Sequence, residues 1–271
     1  MSDHTGRPTR TGLLLAGGRS TRFGDPDKAL ADLAGAPLVG HAAAALAPAV
    51  DELVLNCRVD QREPLADALD GLDDRLPVRF AVDPVPDEGP VAGLLTGLRV
   101  ARGRHVVVAG CDQPFLRTAT VATLFDRATG AASDDPGTDP APDGAAALVD
   151  GRRQPLPAVY RTTAARAAAE RTLATGSRAL RGVLARVDPA AVPVAPGTTR
   201  DIDTQDDLPG GVATQDSNDD DTTNTMETTD ETAVRTTNRV ANDPGSSPDA
   251  GTGADAAALP DGGAEPDGGE P

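Results

Sequence analysis

The residues in this sequence that can do chemistry sit in short polar segments, each following a run of branched apolar residues. The first, AGGRSTRFGDPDKAL over 16–30, follows GLLLA. Its consecutive glycines, Gly17 and Gly18, carry no Cβ to keep an anion away from backbone N–H groups. Ser20 and Thr21 add hydroxyl donors, and Arg19, Arg22 and Lys28 bring three cations into one loop. A strand followed by such a loop is suited to hold a polyphosphate. Two better-known phosphate loops do not fit. No glycine is followed directly by lysine, as GxxxxGK[ST] requires, and no GxGxxG occurs here.

Later segments supply the complementary groups. At the end of ELVLNC (52–57), Asn56 either offers its amide to a base or ribose or caps the next helix. After VRFAV (78–82), Asp83 is either an acceptor for a nucleotide or a turn residue before Pro84. After HVVVAG (105–110), Asp112 is delivered where the strand ends, and one carboxylate together with substrate phosphates is a common way to hold Mg²⁺. Asp203, in the run Asp201-Ile202-Asp203-Thr204, is a second source of a metal carboxylate; alternatively Thr204 and Asp207 simply cap a last short helix. Cys111 reads as a small buried side chain, because no histidine lies nearby in sequence to activate it. His4, His41 and His105 are scattered, and two cysteines make neither a disulfide framework nor a thiolate metal site.

The elements that must position these groups alternate strand and helix. Apolar runs at 12–16, 52–57, 78–82 and 105–110 are separated by alanine-rich stretches of helical length. That pattern predicts a mostly parallel sheet covered on both faces. Past an acidic surface loop over 131–144, the runs 145–150 and 155–161 predict a hairpin-like pair that makes the sheet mixed, followed by helices at 162–174 and 177–185. The expected architecture is one Rossmann-like three-layer α/β domain over 10–208, between a disordered amino terminus (1–9) and a disordered acidic tail (209–271). Ligands in such open sheets bind beyond the carboxyl ends of the strands.

Charge narrows the function classes. The chain has 42 acidic and 25 basic residues, a formal net charge of -17. Neutralising nucleic-acid phosphates or an anionic membrane is therefore not expected. No apolar run approaches the ~20 residues that span a bilayer, and MSDHTGRPTR lacks a signal-segment pattern, so a cytoplasmic location is expected. Residues 211–271 hold 14 acids, two arginines and hardly any large apolar side chain, a solvating composition rather than a docking segment. Of the basic residues, 24 are arginine and Lys28 is the single lysine. Arginine dominance with a carboxylate excess suits concentrated salt, where the Debye length falls to about 3 Å near 1 M; GC-rich codon bias is the competing source. On the first reading the protein is halophilic.

The stretch LLLAGGRSTRFGDPDKAL (13–30) resembles the glycine-rich signature of the molybdenum cofactor guanylyltransferases, and ELVLNCR, GPVAGLLTGL, GCDQPFL and DIDTQDDL follow in that family's order. The resemblance implies a Mg²⁺-dependent nucleotidyltransferase that moves GMP from GTP to molybdopterin and releases pyrophosphate. It implies that Leu15, Ala16 and Gly17 contact the guanine nucleotide, that Lys28, Asn56 and Asp83 bind GTP, and that Asp112 binds nucleotide and Mg²⁺. Gly18 joins them through its place in the loop, and Arg22 is the candidate for neutralising the leaving pyrophosphate. DIDTQ stands where the family more usually has NVNTP, which leaves Asp203 open as a second metal ligand. Molybdoenzyme maturation proteins are possible further partners. The rival readings are a cytidylyltransferase or sugar-phosphate nucleotidyltransferase, and a non-enzymatic cofactor carrier.

Overall fold

The computed structural model describes residues 9–19, 23–24, 27–72, 76–131, 142–195 and 197–208. Arg22, residues 1–8, most of the acidic stretch 131–144 and the tail 209–271 lie outside them. Within the described residues the chain builds a seven-stranded sheet in the order β5-β4-β1-β6-β8-β7-β9. The strands are β1 (Arg10–Leu15), β4 (Glu52–Cys57), β5 (Val78–Val82), β6 (His105–Gly110), β7 (Gly144–Val149), β8 (Arg152–Arg161) and β9 (Ala190–Pro193). A separate two-stranded hairpin joins β2 (Asp32–Leu33) to β3 (Ala36–Pro37). β4, β5 and β6 run parallel to β1, whereas β8 is antiparallel to both β6 and β7. The sheet is mixed and mostly parallel, as the alternation of strands and helices predicts.

Both faces are covered, which is why the strands read as unbroken apolar runs. The pleat sends alternate side chains to opposite sides. Leu14, Leu53, Leu55 and Val107 pack with α1 (Leu38–Leu46), α2 (Arg62–Ala68) and α4 (Thr118–Thr129). Leu13, Val54, Val106 and Val108 pack with α3 (Pro90–Val100), α5 (Thr162–Ala174) and α6 (Leu180–Val187). Each fully buried leucine contributes roughly 1.5–3 kcal/mol relative to exposure, so these layers fix the strand ends to which the polar segments attach.

Four details differ from the sequence pattern. The polar GRRQ expected between the last two long strands belongs mostly to β8; the chain turns at Asp150 and Gly151, both in the left-handed region (φ 48° and 72°), the backbone a two-residue hairpin turn requires. β9, parallel to β7 at the sheet edge, is too short and too poor in large side chains to stand out. α6 begins at Leu180 rather than 177 and ends where Asp188 turns left-handed. Of the acidic stretch 131–144, Asp143 pairs with Arg161 at 2.8 Å and Gly144 already starts β7.

Strand order reverses beside β1. From β1 the chain adds β4 and β5 on one side and then crosses to place β6 on the other, so the loops leaving β1 and β6 diverge around a crevice. A third small core cluster (Phe23, Ala31, Leu33, Leu38 and Ile202) ties the segment after β9 to the hairpin and the start of α1. Ile202 N–H also donates to Asp112 O at 3.0 Å. No helix among the described residues is long and apolar enough to cross a membrane.

Candidate active site

The crevice at the β1/β6 reversal opens into a cavity of about 410 Å³. Leu15, Gly17, Gly18 and Arg19 form one wall, Asn56 and Asp83 a second, the start of α3 (Gly89, Pro90, Gly93) a third, and Gly110 with Asp112 the fourth. The loops after β1, β4, β5 and β6 therefore meet in one place. Ala16 lies beneath the loop, its side chain in the core cluster and its N–H donated to Asn56 O at 2.9 Å.

Asn56 does not cap a helix. Its Nδ2 donates to Asp83 Oδ1 at 2.7 Å and to Ala81 O at 3.1 Å. This fixes the aspartate with its second oxygen toward Gly17, where an added Cβ would stand 2.6 Å from Asp83 Oδ2. Burial raises the Asp83 pKa above the usual carboxylate range, against the opposing hydrogen bond from Asn56. α3 packs just as closely: at Gly93 any Cβ would collide with the Asn56 amide. Only glycine permits these approaches, so Gly17 and Gly93 are there for space. Gly18 is different, with nothing within 4 Å of where its Cβ would be.

Lys28 occupies a position its place in the loop does not foretell. A 3-10 turn over Lys28–Leu30, capped by the Asp27 carboxylate, brings it under the crevice, where its side chain is only 8% exposed. Its Nζ donates to Asp112 Oδ2 at 2.8 Å and to Asp203 Oδ1 at 2.9 Å. Burial disfavours the ammonium, but the hydrogen bonds and charges of Asp112 and Asp203 outweigh it and hold its pKa above that of an ordinary lysine. The capping box for 201–207 is formed, with Asp207 Oδ2 accepting from Thr204 N–H and Oγ1 at 2.8 Å, while Asp203 turns to Lys28. Ile202 is the anchor between its two acidic neighbours, with Asp201 Oδ1 accepting from Gln113 Nε2 at 3.0 Å. Burial, with Asp112 and Asp203 adding to it, pushes the Asp201 carboxyl up to about 6.

Two carboxylates converging on one cation form a hard-oxygen donor pair of the kind that holds Mg²⁺ alongside substrate phosphates, and the Lys28 ammonium marks the point they share. The residues present thus fit a divalent cation. Among the described residues no cluster of three or more Asp, Glu, His or Cys is placed to bind a metal unaided. Among the described residues the cavity is lined by Asp83, Asp87, Glu88 and Asp112 against one arginine, Arg19, whose Nε is 2.7 Å from Asp87. A triphosphate placed there needs additional positive charge.

Cys111 is buried beside the site, and burial together with Asp112 pushes its thiol well above the usual range. Cys57 is likewise raised by burial to about 11. Neither is a thiolate nucleophile near neutral pH. Sequence reasoning passed over three residues behind the glycine loop: Asp27, Arg58 and Gln61. Their signal was adjacency, Asp27 to Lys28 and the other two to the end of β4.

The model of the MobA-like NTP transferase domain matches residues 12–190. A probable molybdenum cofactor guanylyltransferase of Haloferax mediterranei is 41% identical over 175 residues, covering 65% of this chain and 76% of that protein. The molybdenum cofactor guanylyltransferase of Burkholderia lata is 39% identical over 186 residues, covering 66% and 83% respectively. Among solved structures, molybdopterin-guanine dinucleotide biosynthesis protein A from Archaeoglobus fulgidus superposes with a TM-score of 0.54 at 24% identity, over 73% of this chain and 94% of that one. A 4-diphosphocytidyl-2C-methyl-D-erythritol synthase from Anaerococcus prevotii reaches the same score at 14% identity, over 74% and 94%. At those identities the solved structures share the fold alone.

Proposed function

The chain belongs to the MobA-like NTP transferase domain family, and from that premise we propose that it transfers GMP from GTP to the terminal phosphate of molybdopterin. The observation that carries this reading is the convergence, at one strand-order reversal, of a glycine loop with a cation shared by Asp112 and Asp203. The similarity to the molybdenum cofactor guanylyltransferases of Haloferax and Burkholderia supports guanylyl transfer and molybdopterin as the acceptor.

The acceptor phosphate is already anionic near neutral pH, so attack needs no general base. An acceptor oxygen forms a bond to the α-phosphorus, the bond from that phosphorus to the bridging oxygen breaks, and pyrophosphate leaves with the electron pair. The obstacle is the approach of two anions, so positioning and charge stabilisation must supply the rate. Gly17 and Gly18 present backbone to the phosphates. Asp83, held by Asn56, accepts a hydrogen bond from an N–H or O–H of the nucleoside. Lys28 contributes a compact point charge where a guanidinium would be a wide planar fork, which accounts for one lysine among 24 arginines. Asp112 and Asp203 would hold Mg²⁺, which when bound withdraws charge from the phosphates. The composition supports a cytoplasmic enzyme adapted to salt.

Incubation with molybdopterin, MgCl₂ and either GTP or CTP in molar KCl, followed by identification of the dinucleotide, tests the assignment. Guanine dinucleotide and pyrophosphate are expected; a cytosine dinucleotide, or turnover undiminished by EDTA, would refute the nucleotide or the metal respectively.

A further inference from the structure

At the glycine loop, three consecutive carbonyls are tied to two side chains. Gln61 Nε2 donates to Ala16 O at 2.8 Å, and one Arg58 terminal nitrogen reaches Gly18 O at 2.6 Å and Gly17 O at 3.4 Å. The two side chains are locked to each other through Asp27, whose Oδ2 accepts from Arg58 at 3.0 Å and from Gln61 at 2.6 Å. Gln61 Oε1 closes the set by accepting Arg58 N–H at 2.9 Å. The Arg58 side chain is 13% exposed, and its partner Asp60 lies in solvent at 65%. Neither Arg58 nor Gln61 lines the cavity that Gly17, Gly18 and Arg19 line.

In a trans peptide the C=O and the following N–H point in opposite directions. Drawing the carbonyls of residues 16, 17 and 18 backward therefore turns the N–H groups of Gly17, Gly18 and Arg19 the other way. No described residue accepts a hydrogen bond from any of the three. Successive N–H groups aimed to one side make an anion-binding concavity, but glycine peptides flip readily unless something holds their other face. We propose that Arg58, with Gln61, is a positioning residue that sets these three N–H groups toward the nucleotide's phosphates without itself touching them. Asp27 lets the same clamp report on the turn that carries Lys28, so loop and lysine are held in one frame. This inference rests on the glycine loop's being the triphosphate site.

The test is displacement of a fluorescent methylanthraniloyl-GTP from the full-length protein and from Arg58→Met, with GTP and with guanosine as competitors, alongside kcat and KM for GTP. GTP affinity is expected to fall about tenfold or more and KM to rise with it, while guanosine, which has no phosphates, loses less than about twofold. Arg58→Lys keeps the charge but cannot reach the loop carbonyls and Asp27 at once, so it should behave like Arg58→Met; a lysine that restores GTP binding would mean the charge acts directly on phosphate and overturn the proposal. Equal losses for GTP and guanosine, or no loss for either, would also overturn it. Should Arg58→Met fail to fold by circular dichroism, Arg58→Lys and Gln61→Met carry the same comparison, and Asp60→Asn, on the solvent side, should bind both ligands as the wild type does. If the wild type itself neither binds GTP nor transfers GMP, the functional reading fails instead.

Discussion

Replacing Lys28 by methionine keeps the length and apolar stem of the side chain and removes its charge. Asp112 and Asp203 then face each other without the ammonium that now lies 2.8 and 2.9 Å from them. Removing one partner of a fully buried ion pair costs roughly 3–5 kcal/mol. Here the aspartate side chains are 28% and 55% exposed, so water recovers part of the loss and about 2 kcal/mol is expected, or roughly 4–8 °C in melting temperature for a domain of this size. The sign with pH follows from the raised lysine pKa. The lysine's contribution is complete below its unfolded value of about 10.4 and fades only as pH rises through the higher folded value, so the whole difference is present at pH 7. Millimolar MgCl₂ should restore at least half of the loss, because a bound divalent cation supplies the missing charge. The assay is thermal unfolding of both proteins in KCl, with EDTA and then with Mg²⁺. If the variant melts with the wild type in EDTA, the ammonium is not holding the two carboxylates together. If it melts lower and Mg²⁺ restores nothing, they do not share a cation site.

Gly17→Ala should cost about 1–3 kcal/mol from overpacking, since its Cβ would meet Asp83 Oδ2 at 2.6 Å, whereas Gly18→Ala should leave the melting temperature unchanged; equal losses at both positions would contradict the geometry of the loop. Asp201, with its carboxyl pushed up to about 6, is penalised when ionised, so its effect on stability worsens as pH rises from about 4 through 6. Asp201→Asn should therefore melt progressively further above the wild type as pH rises from about 4 to 7.5, and a difference independent of pH would remove the shift. Truncation after Gly210 should leave guanylyl transfer intact, because the residues that complete the site end with the capping box at Asp207; a large loss of turnover would show that the tail takes part.

The strands that carry the site were legible because a buried parallel sheet writes itself as uninterrupted Val and Leu runs, and the residues after each run are the only ones free to be polar. Hence Gly17, Asn56, Asp83 and Asp112 could be picked out from their positions, and they line one cavity. Their partners were not legible. Nothing local to Asn56 says that its amide is spent on Asp83, or that Lys28 faces two carboxylates instead of standing free among the arginines; such pairings are set by how the strand ends come together. Arg58 and Gln61 escaped notice for a related reason. They act on backbone carbonyls, and a sequence shows side chains that meet a ligand more readily than those that hold a loop from behind. The Asp150-Gly151 turn was readable and was missed, because the arginines that follow it look like loop yet alternate along β8.

The bond between Lys28 and Asp203 joins residues 175 positions apart. Ribosomes deliver a polypeptide amino end first, so a nascent chain possesses its glycine loop and Asp112 long before Asp203 emerges. Until then the lysine has one anionic partner, the pair of carboxylates does not exist, and Ile202 has yet to pin the Asp112 backbone. The last stretch of the domain to be translated is thus the one that finishes its charge balance, and an incomplete product lacks the second carboxylate beside Lys28.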